Sequence, residues 1–162
     1  KDVTENCEMI LIWGGDPETT PWGFCGQLAS RLCYFWTEVG LKQVYICPEL
    51  NYGAAVHADK WMPILPGTDA ALQLAIAYVW ITEGTYDKEY IAERTIGFED
   101  FRKHITGEED GTPRTPQWAA EITGIPARTI EALAQEWASK RTMFVGNGVG
   151  GACRAAFLHT QS

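Results

Sequence analysis

The chain has 162 residues, 46% of them hydrophobic and 12% aromatic, with a formal net charge of −8 at pH 7. This length suits one α/β domain that can bury its own core. The acidic balance and the lack of clustered Lys and Arg argue against nucleic acid as a partner, because phosphate binding needs such clusters. No apolar run is long enough to cross a bilayer, so we expect no membrane insertion of this segment.

The first predicted elements form a β-α-β unit. Residues 7–13 are a near-continuous apolar run, interrupted only by Glu8, which indicates a strand buried on both faces, as in parallel sheets. A helix follows the loop 14–21 and ends at Gly40, and residues 44–47 are a second strand. Such a unit is right-handed in nearly all known cases. The apolar stripe expected on the helix consists of Phe24, Leu28, Leu32, Phe35, Trp36 and Val39.

The rest of the chain adds two strands and several helices. Residues 60–65 predict a third strand, whose prolines at 63 and 66 indicate an edge position or an irregular end. Thr68 is the expected N-cap of a long amphipathic helix that ends at Gly84. Short helices are predicted near 86–93, 98–105, 116–123 and 126–138, with an exposed acidic loop at 107–115. A strand at 142–145 and the start of a further helix at 152–158 complete the chain.

This order predicts an α/β fold with a doubly wound, mainly parallel, Rossmann-like sheet and a helical insertion. Residues 1–150 are assigned to this domain and residues 151–162 to the start of a following segment. The chain lacks an initiator Met and ends without a terminating pattern, so we expect a fragment of a larger protein. The five cysteines show no C-x-x-C spacing, and Cys7, Cys25 and Cys33 are expected to be core residues.

Three predicted strand ends converge on one edge of such a sheet, at residues 14–17, 47–50 and 146–151. Glycine-rich loops there can bind phosphate through backbone N–H groups without Lys or Arg. Asp16, Glu49 and Asp69 lie at the same edge, and a carboxylate can accept two parallel donors from a guanine edge or a ribose diol. Each also has a structural alternative: Asp16 as a turn former, Asp69 as a helix N-terminal charge, and Glu49 as a solvated side chain.

A catalytic site is much less evident. His57 and Asp59 are a weak candidate for a metal or acid–base pair. No complete nucleophile–base set is present, and we therefore assign neither a catalytic residue nor a metal ligand to this chain.

Several longer motifs match the pattern of one known family. The segment W-G-G-D-P at 13–17 is similar to that family's W-G-x-N-P. A-D-K-W-M-P-I-L-P-G-T-D-A-A-L at 58–72 is similar to A-D-x-W-L-P-I-R-P-G-T-D-A-A-L, and G-T-P-R-T-P-Q-W-A at 111–119 to D-G-x-x-x-T-P-x-W-A. G-N-G at 146–148 resembles the next G-x-G. The sequence therefore resembles the molybdopterin oxidoreductases of the dimethyl-sulfoxide-reductase superfamily, and its Cys-Pro-Glu-Leu-Asn-Tyr stretch resembles their transhydroxylase, acetylene hydratase and catechol dehydroxylase branch.

The resemblance implies a domain that binds molybdopterin guanine dinucleotide carrying Mo or W. The loop 14–19 would lie along the cofactor, the loop after the second strand would hold ribose and guanine, and residues 68–69 would complete the guanine site. This chain has I-C-P-E where the family usually has I-D-P-R, which leaves open whether Cys47 or Glu49 contacts the nucleotide. The implied cofactor-binding residues are Gly14, Gly15, Asp16, Pro17, Thr19, Cys47, Pro48, Glu49, Thr68, Asp69, Gly146, Asn147 and Gly148.

The resemblance also implies what lies elsewhere. The iron–sulfur cysteines, the metal ligand and the second cofactor domain fall outside this segment in the family pattern, so the segment alone is expected to be inactive. Its partners would be the remaining domains of the same catalytic subunit and an iron–sulfur electron-transfer subunit. Two alternatives are a cofactor-free homologue in an electron-transfer complex and a free-standing nucleotide-binding protein. The sequence does not indicate a cellular compartment.

Overall fold

The structure, a computed structural model, describes residues 2–19 and 27–146. The chain divides into two compact units, one formed by residues up to Asp69 together with those from Lys140 onward, and the other by Ala70–Ser139. The first unit contains the sheet, and the second is helical. The predicted domain boundary at residue 150 and the predicted helix at 152–158 lie outside the described residues.

Four parallel strands form the sheet of the first unit: β1 (Met9–Trp13), β2 (Lys42–Ile46), β3 (Lys60–Met62) and β4 (Thr142–Gly146). Their order is β3-β2-β1-β4, so the chain moves outward from β1 to β3 and then returns to the other side of β1. Every residue of β1 is buried, as the continuous apolar run predicts. The predicted α/β fold with a parallel sheet is confirmed, and β3 lies at the edge that its neighbouring prolines indicated.

Helices on one face of the sheet bury a mixed apolar layer. α1 (Asp2–Asn6) precedes the sheet, α2 (Leu28–Glu38) joins β1 to β2, and α3 (Tyr52–His57) lies between β2 and β3. Neither α1 nor α3 is among the helices predicted from the sequence, which has only a loop between the second and third strands. The buried layer contains Ile10, Ile12, Cys33, Trp36, Tyr45, Cys47 and Ala54.

The apolar stripe predicted for α2 is only partly buried. Its member Trp36 is buried, together with Cys33, whereas Leu28, Leu32, Phe35 and Val39 are between 39% and 47% exposed. Helical spacing shows which residues share a face, but it does not show which face meets the sheet. Phe24, the first member of the predicted stripe, lies outside the described residues.

The second unit contains most of the predicted helical insertion. α4 (Asp69–Glu83) begins at the unit boundary, and α5 (Lys88–Arg94), α6 (Phe98–Thr106), α7 (Pro116–Thr123) and α8 (Ala127–Ser139) follow. α7 is capped as predicted, since the Thr115 hydroxyl accepts from the Trp118 amide at 3.1 Å. One detail differs from expectation. The acidic loop buries Arg114, which pairs with Asp110.

Tryptophan packing stabilises the second unit. The Trp80 indole N–H donates to the Ala134 carbonyl at 2.8 Å, and the rings of Trp80 and Trp137 meet edge to face at 5.1 Å. In the parts of the chain that the structure describes, no helix combines the length and apolar character needed to cross a membrane.

Candidate functional site

The four strands end in register, which places their following loops along one edge of the sheet. Trp13 at the end of β1 pairs with Ile46 of β2 and Gly146 of β4, and Ile46 in turn pairs with Met62 of β3. From β1 the chain adds β2 and β3 on one side of the sheet and then β4 on the other side. The connections therefore change direction between β1 and β4. In open α/β sheets, ligands bind in the crevice outside the strand ends at such a point. The predicted site residues Asn147 and Gly148 lie outside the described residues.

The turn that leaves β1 depends on one glycine. Gly14 has φ +67°, a left-handed conformation that side chains disfavour, and its N–H donates to the Ile46 carbonyl at 2.9 Å. Gly15 is less constrained, because a Cβ atom there would be 3.5 Å from the Ile12 methyl group, an ordinary contact distance. The Gly15 carbonyl accepts from the Asn51 side-chain amide at 3.3 Å.

The Asp16 carboxylate is committed to hydrogen bonds within the chain. Its Oδ1 accepts from the amides of Glu18 (3.0 Å), Thr19 (3.3 Å) and Gly53 (3.1 Å), and its Oδ2 accepts from the Thr19 hydroxyl at 2.5 Å. Burial by itself raises the pKa of Asp16, but the hydrogen bonds from Thr19, Glu18 and Gly53 lower it, and the net pKa lies below the ordinary aspartate value. Asp16 therefore holds the β1 loop in its turn and ties it to α3.

Gly53 and Asn51 join the same loop to α3 and are absent from the sequence-based set of site residues. A Cβ atom on Gly53 would lie 2.8 Å from Asp16 Oδ1 and 3.2 Å from Pro17 Cδ, so only glycine allows this approach. Asn51 caps α3 by accepting from the Ala54 amide at 2.8 Å. An Asn three residues before Ala54 is a usable N-cap signal, but nothing local indicates that α3 meets the β1 loop.

The loop after β2 contains Cys47 and Glu49, the two candidate nucleotide contacts between which the sequence does not decide. Cys47 is 3% exposed, and its thiol donates to the Glu49 carbonyl at 3.1 Å. Burial raises the pKa of the Cys47 thiol. Glu49 and Pro48 are exposed, and within the described ranges the Glu49 carboxylate has no hydrogen-bond partner. Of the two, Glu49 is thus the exposed side chain and Cys47 the buried one.

Alkylation rates should report the burial of Cys33 and Cys47. Iodoacetamide at pH 8 is expected to modify Cys33 and Cys47 much more slowly in the native chain than in urea, because only the exposed thiolate reacts. Burial raises the pKa of Cys33 from 9.0 to about 11, which lowers its thiolate fraction by about a hundredfold. Peptide mass spectrometry would report the rates, with the half-buried Cys7 as an internal comparison. Equal native and unfolded rates for Cys47 would contradict its burial.

Asp69 reaches the edge from the start of α4. Its Oδ1 accepts from the Trp13 indole N–H at 2.7 Å, and the two residues are 8% and 1% exposed. The positive end of the α4 dipole also favours a carboxylate at this position. Thr68 precedes the helix, and its hydroxyl donates to the Leu65 carbonyl at 2.7 Å. The hydrogen bond thus joins the end of β1 to Asp69 within the first unit.

His57 and Asp59 do not form the pair that the sequence allows. The Asp59 carboxylate accepts from the Gln43 amide at 2.7 Å, whereas His57 is bonded to Glu18 and Thr37. Across residues 2–19 and 27–146, no group of three or more His, Cys, Asp or Glu side chains is arranged to hold a metal ion.

Comparison with known proteins gives a consistent result. The family model for molybdopterin oxidoreductases matches residues 2–158. The chain is 42% identical over 159 residues to the pyrogallol hydroxytransferase large subunit of Pelobacter acidigallici, which covers 96% of this chain and 18% of that protein. It is 32% identical over 149 residues to a trimethylamine-N-oxide reductase of Haemophilus influenzae, covering 90% of this chain and 18% of that one.

A solved structure shares the fold. Acetylene hydratase from Pelobacter acetylenicus superposes with a TM-score of 0.68 at 26% sequence identity, over 88% of this chain and 18% of that chain. The chain therefore spans about a fifth of the length of these relatives.

Proposed function

The chain belongs to the molybdopterin oxidoreductase family, and we propose that it is the part of a longer enzyme that holds the guanine-nucleotide portion of a molybdopterin guanine dinucleotide. When bound, that cofactor would supply a Mo or W centre for redox or oxygen-transfer chemistry. The exposed Glu49 carboxylate, at the same sheet edge as Asp69 and the Gly14 turn, carries the proposal. The residues described here would bind and orient the nucleotide, and the metal would be held by other parts of the protein.

The available groups fit a guanine nucleotide. Glu49 and Asp69 can accept from the N–H donors of guanine or from ribose hydroxyls, because each carboxylate has two acceptor oxygens. Asp69 keeps one oxygen for Trp13 and has a second for a ligand. In the turn after β1, the amides of Gly14, Glu18 and Thr19 donate within the chain. The N–H groups of Gly15 and Asp16 are the ones that would face a diphosphate. Asp16 would shape that turn and would not itself read the nucleotide, since its carboxylate is already bonded within the chain.

One observation favours the alternative of a cofactor-free homologue. Asp16 and Asp69, two of the three predicted acceptor carboxylates, have structural partners in the chain, so their presence alone does not require a ligand. Purified full-length protein separates the two functions. Metal analysis for Mo and W, together with chromatography of guanosine monophosphate released by acid hydrolysis, is expected to find both. Absence of both would overturn the binding proposal and support the cofactor-free one.

Glu49 provides a test at the level of a single side chain. Glu49→Gln in the full-length protein is expected to lower the bound guanine nucleotide by about tenfold, because hydrogen bonds to a charged acceptor contribute more than those to a neutral amide. Glu38→Gln is the matched control, since Glu38 is also exposed but lies at the end of α2, before the amino end of β2. Nucleotide released per polypeptide is the measurement. Equal content in the wild type and Glu49→Gln would remove Glu49 from the site.

The identities also bear on the type of reaction. The chain is more similar to pyrogallol hydroxytransferase, at 42% identity, than to trimethylamine-N-oxide reductase, at 32%. This supports placing the full-length protein in the transhydroxylase and acetylene hydratase branch. Its substrate would then be an aromatic or unsaturated compound that gains or exchanges a hydroxyl group.

The proposed partners are further domains of the same polypeptide, together with an iron–sulfur electron-transfer subunit. The chain covers 18% of the length of its relative pyrogallol hydroxytransferase, which supports the presence of further domains. In addition, α2 and its C-cap residue present four exposed apolar residues along one face, which another domain of the same polypeptide would cover. Those four residues are Leu28, Leu32, Phe35 and Val39.

A further inference from the structure

A buried polar network lies beneath the β1 loop and is not explained by the nucleotide contacts proposed above. His57 Nε2 is 2.7 Å from Glu18 Oε1, and the two side chains are 0% and 8% exposed. The other ring nitrogen, Nδ1, is 2.9 Å from the Thr37 hydroxyl. The Ser30 hydroxyl donates to Glu18 Oε2 at 2.6 Å. Both nitrogens of the imidazole and both oxygens of the carboxylate are therefore paired.

The network joins three elements that are distant in sequence. Glu18 belongs to the loop after β1, His57 is the last residue of α3, and Ser30 and Thr37 lie on α2. Gln43 of β2 extends the network by donating its side-chain amide to the Thr37 hydroxyl at 2.9 Å. The Tyr34 ring packs edge to face against the imidazole at 4.6 Å and helps to fix its plane.

We propose that Glu18 and His57 are positioning residues that lock the loop Gly14–Thr19 against α2 and α3, so that its backbone is held ready for the nucleotide. Buried hydrogen bonds involving a charged carboxylate are strong, and leaving one partner unpaired is costly. Without the Glu18–His57 pair, the carboxyl end of the loop would be held by Asp16, which accepts from the amides of Glu18 and Thr19. This inference rests on the proposed function, because it assigns to that loop a contact with the cofactor.

Two substitutions at Glu18 separate the lock from simple loss of a side chain. In the full-length protein, Glu18→Ala leaves the His57 N–H without its partner, whereas Glu18→Gln retains an oxygen for His57 and an amide group for Ser30. For Glu18→Ala, amide hydrogen exchange in peptides covering residues 14–19 is expected to accelerate by about tenfold, the factor for one unmade buried hydrogen bond. The guanine nucleotide released per polypeptide should fall several-fold. Glu18→Gln keeps both hydrogen bonds but loses the charge, so both values should lie clearly closer to wild type than those of Glu18→Ala.

Two further variants complete the design. Glu38→Ala, at an exposed position on α2, is the control and should change neither measurement. Ser30→Ala removes only the hydrogen bond to Glu18 Oε2 and is the milder variant if Glu18→Ala does not accumulate as folded protein. It should accelerate exchange in the loop by about threefold.

Each outcome decides the matter. Unchanged exchange in Glu18→Ala would overturn the lock, and so would exchange in Glu18→Gln as fast as in Glu18→Ala. Faster exchange with wild-type nucleotide content would show a merely structural pair and overturn the positioning role. If the wild-type protein contains no guanine nucleotide, the proposed function fails, while hydrogen exchange still tests the lock by itself.

Discussion

Replacing Asp69 by alanine is expected to remove most of the guanine nucleotide from the full-length protein and to destabilise the domain by about 1–3 kcal/mol. The two losses have different causes. The nucleotide is lost because the substitution removes a purine acceptor from the proposed site. Stability is lost because the buried Trp13 indole N–H, 2.7 Å from Asp69 Oδ1 in the wild type, has no partner in the variant. Nucleotide content of the full-length protein and urea denaturation of the chain measure them separately.

A double-mutant cycle distinguishes the two effects. Trp13→Phe removes the indole donor, so adding Asp69→Ala to it should cost less stability than Asp69→Ala costs alone. The nucleotide content should remain low in the double variant. Asp100→Ala is the control for loss of an aspartate near a helix start, because Asp100 is highly exposed on α6. It should change stability by no more than about 0.5 kcal/mol. Wild-type nucleotide content in Asp69→Ala would exclude Asp69 from the nucleotide site.

Gly53→Ala should destabilise the chain by about 1–3 kcal/mol, although alanine normally stabilises a helix by about 1 kcal/mol over glycine. The new Cβ atom would lie 2.8 Å from Asp16 Oδ1. The carboxylate cannot retreat without losing hydrogen bonds, one of which comes from Gly53 itself. Urea denaturation of the variant would report the change. A gain in stability would show that the β1 loop adapts at little cost.

The reason for that cost can be tested in the Asp16→Ala background. Asp16→Ala removes the acceptor of four hydrogen bonds and is itself expected to cost about 2–3 kcal/mol. Without the carboxylate oxygen, the further cost of Gly53→Ala should fall by at least about 1 kcal/mol. Ala55→Gly is the control for helix propensity in α3, since Ala55 is exposed. It should cost about 1 kcal/mol.

Asp16 and Cys47 show that residue type alone does not give the partners of a side chain. Both belong to the set implied by the family resemblance, and both lie after the end of a parallel strand. Their side chains are nevertheless used within the chain, Asp16 by four donors and Cys47 by the Glu49 carbonyl. A carboxylate at a strand end is equally suited to a ligand and to the backbone of a turn. Only the positions of its neighbours decide between them.

The sequence by itself determined the order and type of most elements, because these depend on residues close together in the chain. A continuous apolar run indicated that β1 is buried on both faces, glycines marked the ends of α2 and α4, and Thr115-Pro116 marked the start of α7. Prolines near β3 indicated an edge position or an irregular end, and the sheet order places β3 at the edge. The predicted convergence of three strand ends is confirmed, since β1, β2 and β4 end in register. The nucleotide site at that edge stays a prediction.

The tertiary structure alone decided which side chains meet. The hydrogen bonds Trp13–Asp69, Asp16–Gly53 and Glu18–His57 join residues 56, 37 and 39 positions apart. No local pattern encodes such pairs, since they depend on strand register and on where each helix crosses the sheet. The exposed face of α2 has the same origin: spacing groups its apolar residues, and only packing against β1 and β2 selects which face is buried.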